Sequence, residues 1–150
     1  MKRNIAPLRV LLTDDDEDDR LIFKEILDEM DRNIHVRMVN DGKQLMDFLK
    51  AEKNPFPHII FLDLNMPNMN GIDCLKEIRS QEKYRDISIA IYSTSTAKKD
   101  IDDTFNHGAN IYITKPAAYC ELKEVLKKSL TAVRLNRSSD LEMENFVLKI

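Results

Sequence analysis

The sequence predicts an α/β chain built as a doubly wound, five-stranded parallel sheet, and three observations predict it. Five short β-rich runs punctuate the chain, helix-length segments separate them, and the central runs are apolar throughout, as strands covered on both faces must be. The chain's 150 residues, 43% of them hydrophobic, suffice for one sizeable core and leave no room for two independent ones.

The first run, Leu8 to Thr13, is followed by Phe23, Ile26, Leu27 and Met30 at i, i+3, i+4 and i+7, one buried helical stripe. The second run, Ile34 to Asn40, alternates Ile34, Val36 and Met38 with His35, Arg37 and Asn40, the pattern of a strand exposed on one side or lying at an edge. Leu45, Phe48 and Leu49 stripe the second helix, and His58 to Leu62 forms the third strand. Ile72, Leu75 and Ile78 stripe the third helix, Ile87 to Tyr92 forms the fourth strand, and Ile101 and Phe105 give the fourth helix only a weak stripe. Ile111 to Thr114 is the fifth strand, and Leu122, Val125, Leu126, Leu130 and Val133 carry the last helix. An outermost second strand suits the order 2-1-3-4-5, a flavodoxin-like (βα)5 three-layer sandwich. The expected domain spans residues 8–133, after an extension at 1–7 and before a tail at 134–150. In that tail Phe146, Val147, Leu148 and Ile150 are expected to fray or to dock on the domain, with a partner-binding segment as the sharper alternative.

Composition narrows the function. Twenty-three basic against 26 acidic residues leave a formal charge of -3, which gives no general attraction to nucleic acid or anionic membranes. The longest apolar runs, such as Ile59 to Leu62, are far short of the roughly 20 residues a bilayer span needs. Arg9 and the acids from Asp14 onward argue against a signal peptide, so a cytoplasmic protein is expected. Cys74 and Cys120 stand alone, as reduced thiols do, and His35, His58 and His107 are scattered.

The chemistry gathers at the carboxyl ends of the strands, where such sheets bind ligands. Six consecutive acids, Asp14 to Asp19, follow the first strand; Asp16 to Asp19 equally suit a solvated loop opening a helix, whereas Asp14 and Asp15 stand at the strand end. Asp63 follows the third strand 48 residues after Asp15, about two βα units, which places it on the neighbouring strand. Two or three converging carboxylates repel by about 1 kcal/mol per pair in water and about 4 at an effective dielectric near 20, so they must take up a proton or a cation. Oxygen-only donors favour Mg²⁺, with Mn²⁺ as the alternative. Ser93, Thr94 and Ser95 follow the fourth strand, and Lys115-Pro116 follows the fifth. Each alone suits a helix cap or a turn. Together, a cation, a hydroxyl, a central carboxylate and an acid pair are the parts needed to bind a phosphoryl group on Asp63.

With these residues in place the chain resembles the receiver domain of two-component response regulators over about residues 8 to 133. The motifs are Asp14-Asp15, Asp63 with Met66-Pro67, Ser93, and Lys115-Pro116. The resemblance is to chemotaxis-regulator-like, freestanding single-domain members, including those that accompany bacteriophytochromes. It implies that Asp63 accepts a phosphoryl group from a sensor histidine kinase. It also implies that Asp15, Asp63 and the Asn65 carbonyl bind Mg²⁺ directly, with Asp14 acting through water. Three aspartates follow Thr13, so Asp15-Asp16 is the other register of the acidic pair; the two nearest the strand are preferred. By the same resemblance Tyr112 is a switch residue coupled to Ser93, and the Lys115-Pro116 bond is commonly cis. Phosphorylation would alter the face of helix four, strand five and helix five, a surface for a downstream protein or a homodimer. The chain is then a regulatory phosphoacceptor, whose only catalysis is its own phosphotransfer and slow dephosphorylation. With 17 residues after Val133, output is expected to pass through another protein.

Three rivals fit less well. A haloacid-dehalogenase-like phosphatase resembles this site but has an acid two residues after its nucleophile, where Asn65 stands. An FMN-binding loop would be repelled by six acids. A calcium hand needs glycine at loop position 6, which is Asp19.

Overall fold

A computed structural model describes residues 6–134 and 146–148. Residues 1–5 of the expected extension and 135–145 and 149–150 of the expected tail lie outside the described residues. Along the chain run β1 (Leu8–Thr13), α1 (Glu17–Met30), β2 (Ile34–Val39), α2 (Gly42–Lys50), β3 (Ile59–Leu62), α3 (Gly71–Arg79), a 3₁₀ turn (Glu82–Tyr84), β4 (Ser88–Ser93), α4 (Lys98–Asn106), β5 (Ile111–Thr114) and α5 (Tyr119–Arg134). The strands are all parallel and ordered β2-β1-β3-β4-β5, as the sequence led us to expect.

Strand alternation divides the core into two. Leu11, Ile60, Leu62, Ile89, Ile91 and Tyr112 face α2, α3 and α4, where Leu45, Met46, Leu49, Cys74, Leu75 and Ile78 meet them. Val10, Leu12, Ile59, Phe61, Ala90, Tyr92, Ile111 and Ile113 face α1 and α5, against Phe23, Ile26, Leu27, Leu122, Val125, Leu126 and Leu130. Burial on both sides explains why β3 reads as four consecutive apolar residues, all buried. β2 pairs only with β1, and its His35 and Arg37 are exposed, as suits an edge.

One stripe differs from expectation. In α2, Met46 rather than Phe48 joins the buried set; Phe48 is half-buried under Arg37, whose guanidinium carbon lies 5.4 Å from the ring centroid. The 3₁₀ turn places Tyr84 wholly inside, its hydroxyl donating to the Leu49 carbonyl at 3.3 Å. α4 is weakly held: Thr104 is its one fully buried residue, while Ile101 and Phe105 pack half-exposed. The described tail residues dock at the free edge of β5. Phe146 is buried, Val147 forms a parallel bridge with Tyr112, and the Leu148 amide donates to the Tyr112 carbonyl at 2.9 Å.

The loop between β3 and α3 is held by close backbone contacts. Asn68 takes the left-handed region at φ 70°, which asparagine tolerates. The Gly71 amide donates to the Leu64 carbonyl at 2.9 Å, and Asn70 caps α3 by accepting from the Asp73 amide. A side-chain carbon on Gly71 would sit 2.2 Å from the Asp63 carbonyl oxygen and 2.8 Å from the Leu64 Cα, both backbone atoms that cannot rotate away. Gly71→Ala should therefore displace the loop that carries Asp63 and cost about 1–3 kcal/mol, measured as a lower denaturant midpoint with an unchanged slope.

Candidate functional site

Backbone hydrogen bonds beyond the regular strands bring the site residues together. The Asp14 amide donates to the Val39 carbonyl at 3.2 Å and the Asp63 amide to the Thr13 carbonyl at 3.0 Å, so the two aspartates leave adjacent strands side by side. Across the sheet, the Lys115 amide donates to the Ser93 carbonyl at 2.8 Å. The ends of β1, β3, β4 and β5 are thus one continuous edge.

Asp14, Asp15 and Asp63 each offer a carboxylate oxygen, and the three lie within 4.8 Å of one another; Asp14 and Asp63 are buried, Asp15 exposed. Asp16 stands apart as the cap of α1, accepting from the Asp19 amide at 3.0 Å. Of the three aspartates after Thr13, Asp14 and Asp15 are the two that cluster with Asp63. The Lys115 ammonium reaches into the cluster, 2.8 Å from Asp14 Oδ2, 3.0 Å from Asp19 Oδ2 and 3.4 Å from Asp63 Oδ2. The Asn65 amide donates to Asp63 Oδ1 at 3.2 Å, and the Arg20 guanidinium to the Asp14 carbonyl at 2.8 Å.

Electrostatics follow from burial. Withdrawal from water pushes the Asp63 carboxyl up to about 6, with the Asp14 charge adding to the effect; Lys115 and the Asn65 amide pull the other way. Burial works against the Lys115 ammonium too, but hydrogen bonds to Asp14 and Asp19 and the charges of Asp63 and Asp14 outweigh it and hold its pKa above the ordinary range. The donors are hard oxygens without histidine or thiolate nearby, a set that fits a divalent cation.

The remaining candidates separate. Ser93 is buried, its Oγ accepting from the Ser95 amide at 3.1 Å. The hydroxyl run does not cap α4 directly: its cap position is Ala97, with no side-chain bond, while Ser95 Oγ accepts from the Ala97 amide and donates to Asp100. Thr94 is exposed. Met66 is buried in the core beneath the loop, whereas Pro67 is exposed at the turn. Tyr112 is fully buried, its hydroxyl donating to the Ser95 carbonyl at 2.9 Å. The Lys115-Pro116 peptide is trans, not the cis form the resemblance suggested. Four residues escaped the sequence reading: Asp19, hidden in the acidic run; Arg20; Gly71; and Tyr92, whose ring centroid lies 5.0 Å from the Lys115 ammonium. Beside Lys115 opens a cavity of about 320 Å³ lined by Asp19, Ile22, Tyr92, Pro116 and Tyr119.

The family model of the response regulator receiver domain matches residues 10–127. The chain belongs to this family. It is 32% identical over 123 residues to a chemotaxis protein CheY homolog of Campylobacter jejuni, a match covering 82% of this chain and 92% of that protein. Among solved structures, the phosphorylated cyanobacterial phytochrome response regulator RcpA superposes with a TM-score of 0.81 at 28% identity, covering 87% of this chain and 96% of that one. The Mn²⁺-bound form of response regulator Rcp1 gives 0.75 at 26% identity, covering 84% and 93%; Rcp1 is a protein of Synechocystis. Receiver domains as a family interact with histidine kinases and downstream targets, and an acidic cluster of this composition suits divalent-metal binding in them. Among the described residues no helix is long and apolar enough to cross a membrane.

A carboxyl whose folded pKa lies above its unfolded value of 3.8 stabilises the fold fully below that value, and the benefit is lost as pH rises through about 6. In metal-free buffer at pH 8, Asp63→Asn should therefore melt a few degrees higher than wild type, with an upper bound of about 3 kcal/mol. The gap should close as the pH is lowered toward 4. Added Mg²⁺ should raise the melting temperature of wild type but not of Asp63→Asn.

Proposed function

We propose that Asp63 is the phosphoacceptor of a two-component phosphorelay, receiving its phosphoryl group from a sensor histidine kinase. The observation that carries this reading is the Asp63 carboxylate, buried to 6% exposure, set between an acidic pair and the Lys115 ammonium. An Asp63 oxygen attacks phosphorus, the bond to the donor's imidazole nitrogen breaks, and that nitrogen keeps the electron pair and takes a proton from solvent. Lys115, already fixed by Asp14 and Asp19, lies within reach of the transferred oxygens and offsets their charge without reorganising. The exposed Ile22 and Tyr119, which line the cavity beside Lys115, offer apolar contact to a donor protein.

Asp15, Asp63 and the Asn65 backbone carbonyl would hold Mg²⁺, or Mn²⁺, with Asp14 acting through water. The three-carboxylate cluster and the Mn²⁺-bound relative support that reading. When bound, the ion supplies positive charge against the phosphoryl oxygens.

The phosphoryl group brings about −1.5 to −2 charge, which needs new partners. Ser93 can turn its hydroxyl from the Ser95 amide to a phosphoryl oxygen, drawing the loop after β4 and freeing Tyr112 from the Ser95 carbonyl. The face of α4, β5 and α5 then changes for a downstream protein or a second copy. Moving such an equilibrium from 1:99 to 99:1 takes about 5.5 kcal/mol, and charge-assisted bonds from Lys115 and Ser93 supply about 1.5–3 each. The chain is a regulator that is itself modified, acting on no separate substrate. Asn65 in place of a second acid after Asp63 supports this over a phosphatase.

Incubation with Mg²⁺ and acetyl phosphate should add one phosphoryl group to the intact mass of wild type and none to Asp63→Asn. Turnover of a free phosphomonoester, abolished in Asp63→Asn, would overturn the reading. Ser93→Ala should still be loaded, but the Tyr112 ring resonances, shifted in wild type by beryllofluoride and Mg²⁺, should stay near their resting positions. Loss of one charge-assisted bond lowers the ratio of switched to resting protein by about 10- to 100-fold.

A further inference from the structure

The free edge of β5 is occupied by the chain's own Phe146-Val147-Leu148. Phe146 is 0% exposed, its ring centroid 5.2 Å from that of Phe105 on α4 and 6.0 Å from that of Tyr112, both near edge-on. Val147 bridges Tyr112 in parallel, and the Leu148 amide donates to the Tyr112 carbonyl. Phe146 and Val147 both pack on the α2–α4 side of the sheet and Leu148 on the α1–α5 side, so strand-like alternation covers Val147 and Leu148 only. This is β-augmentation, with the chain serving as its own peptide ligand.

Among the described residues the addition amounts to one bridge, and topology supplies a reason. β3 to β4 and β4 to β5 step across the sheet in one direction with α3 and α4 on one face. A further step in that direction over α5, on the opposite face, has the opposite hand. Parallel crossovers are right-handed in about 98% of cases, so a full sixth strand is disfavoured and the segment is held by one anchor and one bridge.

The anchor's wall is the switch. Tyr112 contacts Phe146 with its ring, Leu148 with its carbonyl and the Ser95 carbonyl with its hydroxyl; the Ser95 amide in turn holds Ser93 Oγ. Resting on the phosphoacceptor reading above, we infer that Phe146-Val147-Leu148 is a resident, reversible ligand of the α4–β5 edge, released when Asp63 is phosphorylated and uncovering that edge for an extended aromatic-aliphatic peptide of a partner. Ser93 gives up the Ser95 amide, the Ser95 carbonyl moves, Tyr112 loses its acceptor, and Phe146 loses one wall of its pocket. Linkage makes the effect reciprocal: a segment that favours the resting state must oppose loading of Asp63.

The test uses the full chain with Mg²⁺, with and without beryllofluoride, reading fluorine resonances for loading and amide exchange at residues 146–148 for docking. Loading should speed exchange there by about 5-fold or more, the lower end of common couplings. Phe146→Ala removes the anchor, and Leu148→Pro removes the amide donor; each should load at a several-fold lower beryllofluoride concentration. Loading with unchanged exchange, or variants that load as wild type does, would overturn the coupling alone. Failure of wild type to load would overturn the phosphoacceptor reading and the coupling with it. Protection at 146–148 that grows with protein concentration would show the segment seated on a second copy and overturn the intramolecular assignment.

Discussion

Three carboxylates share the end of this sheet with a single ammonium, and most of the architecture serves that imbalance. Asp14 and Asp63 are buried where a lone charge is costly, and Lys115 is held by Asp14, Asp19 and Asp63 together. The strands on which Asp14, Asp63 and Lys115 converge are parallel, so their carboxyl ends and the charges they carry share one edge of the sheet. Burial that lifts Asp63 toward 6 also makes the acidic edge a place where the ionised fold is less stable than it could be. A cation bound among the carboxylates would relieve that stress and stabilise the fold.

The rigid part of the molecule was largely legible in its sequence. β1 and β5 lie where the apolar runs put them, and the alternating β2 is the edge it appears to be, because burial on one or two faces writes directly into residue pattern. Stripes were less legible where a helix presents more than one candidate: Met46 is buried in α2 and Phe48 is not, since an aromatic ring can lie flat under Arg37 while methionine fits the core gap. The 3₁₀ turn at Glu82–Tyr84 carries no periodic signal and was missed.

At the site, spacing brought Asp14, Asp15, Asp63, Ser93 and Lys115 to one edge, but not the residues that fix their geometry. Asp19 looked like any acid at the start of a helix; only the turn of α1 brings it to Lys115, across 96 positions of sequence. Gly71 is needed for the closeness of another backbone, a property no local pattern records. Proline isomer state is similarly silent, and Pro116 follows a trans bond. The tail's docking turns on Phe105 and Tyr112, two residues whose weak or ordinary stripes gave no sign of a third aromatic between them.

The lysine resting over Tyr92 has an optical consequence. The chain has no tryptophan and four tyrosines, so its near-ultraviolet signal comes chiefly from phenols. One of these lies 5.0 Å from the ammonium of the acidic edge, and another, Tyr112, lines the pocket of Phe146. Two of the four intrinsic chromophores therefore stand one at the acidic edge and one at the tail's pocket, and emission or circular dichroism can follow both without an attached dye.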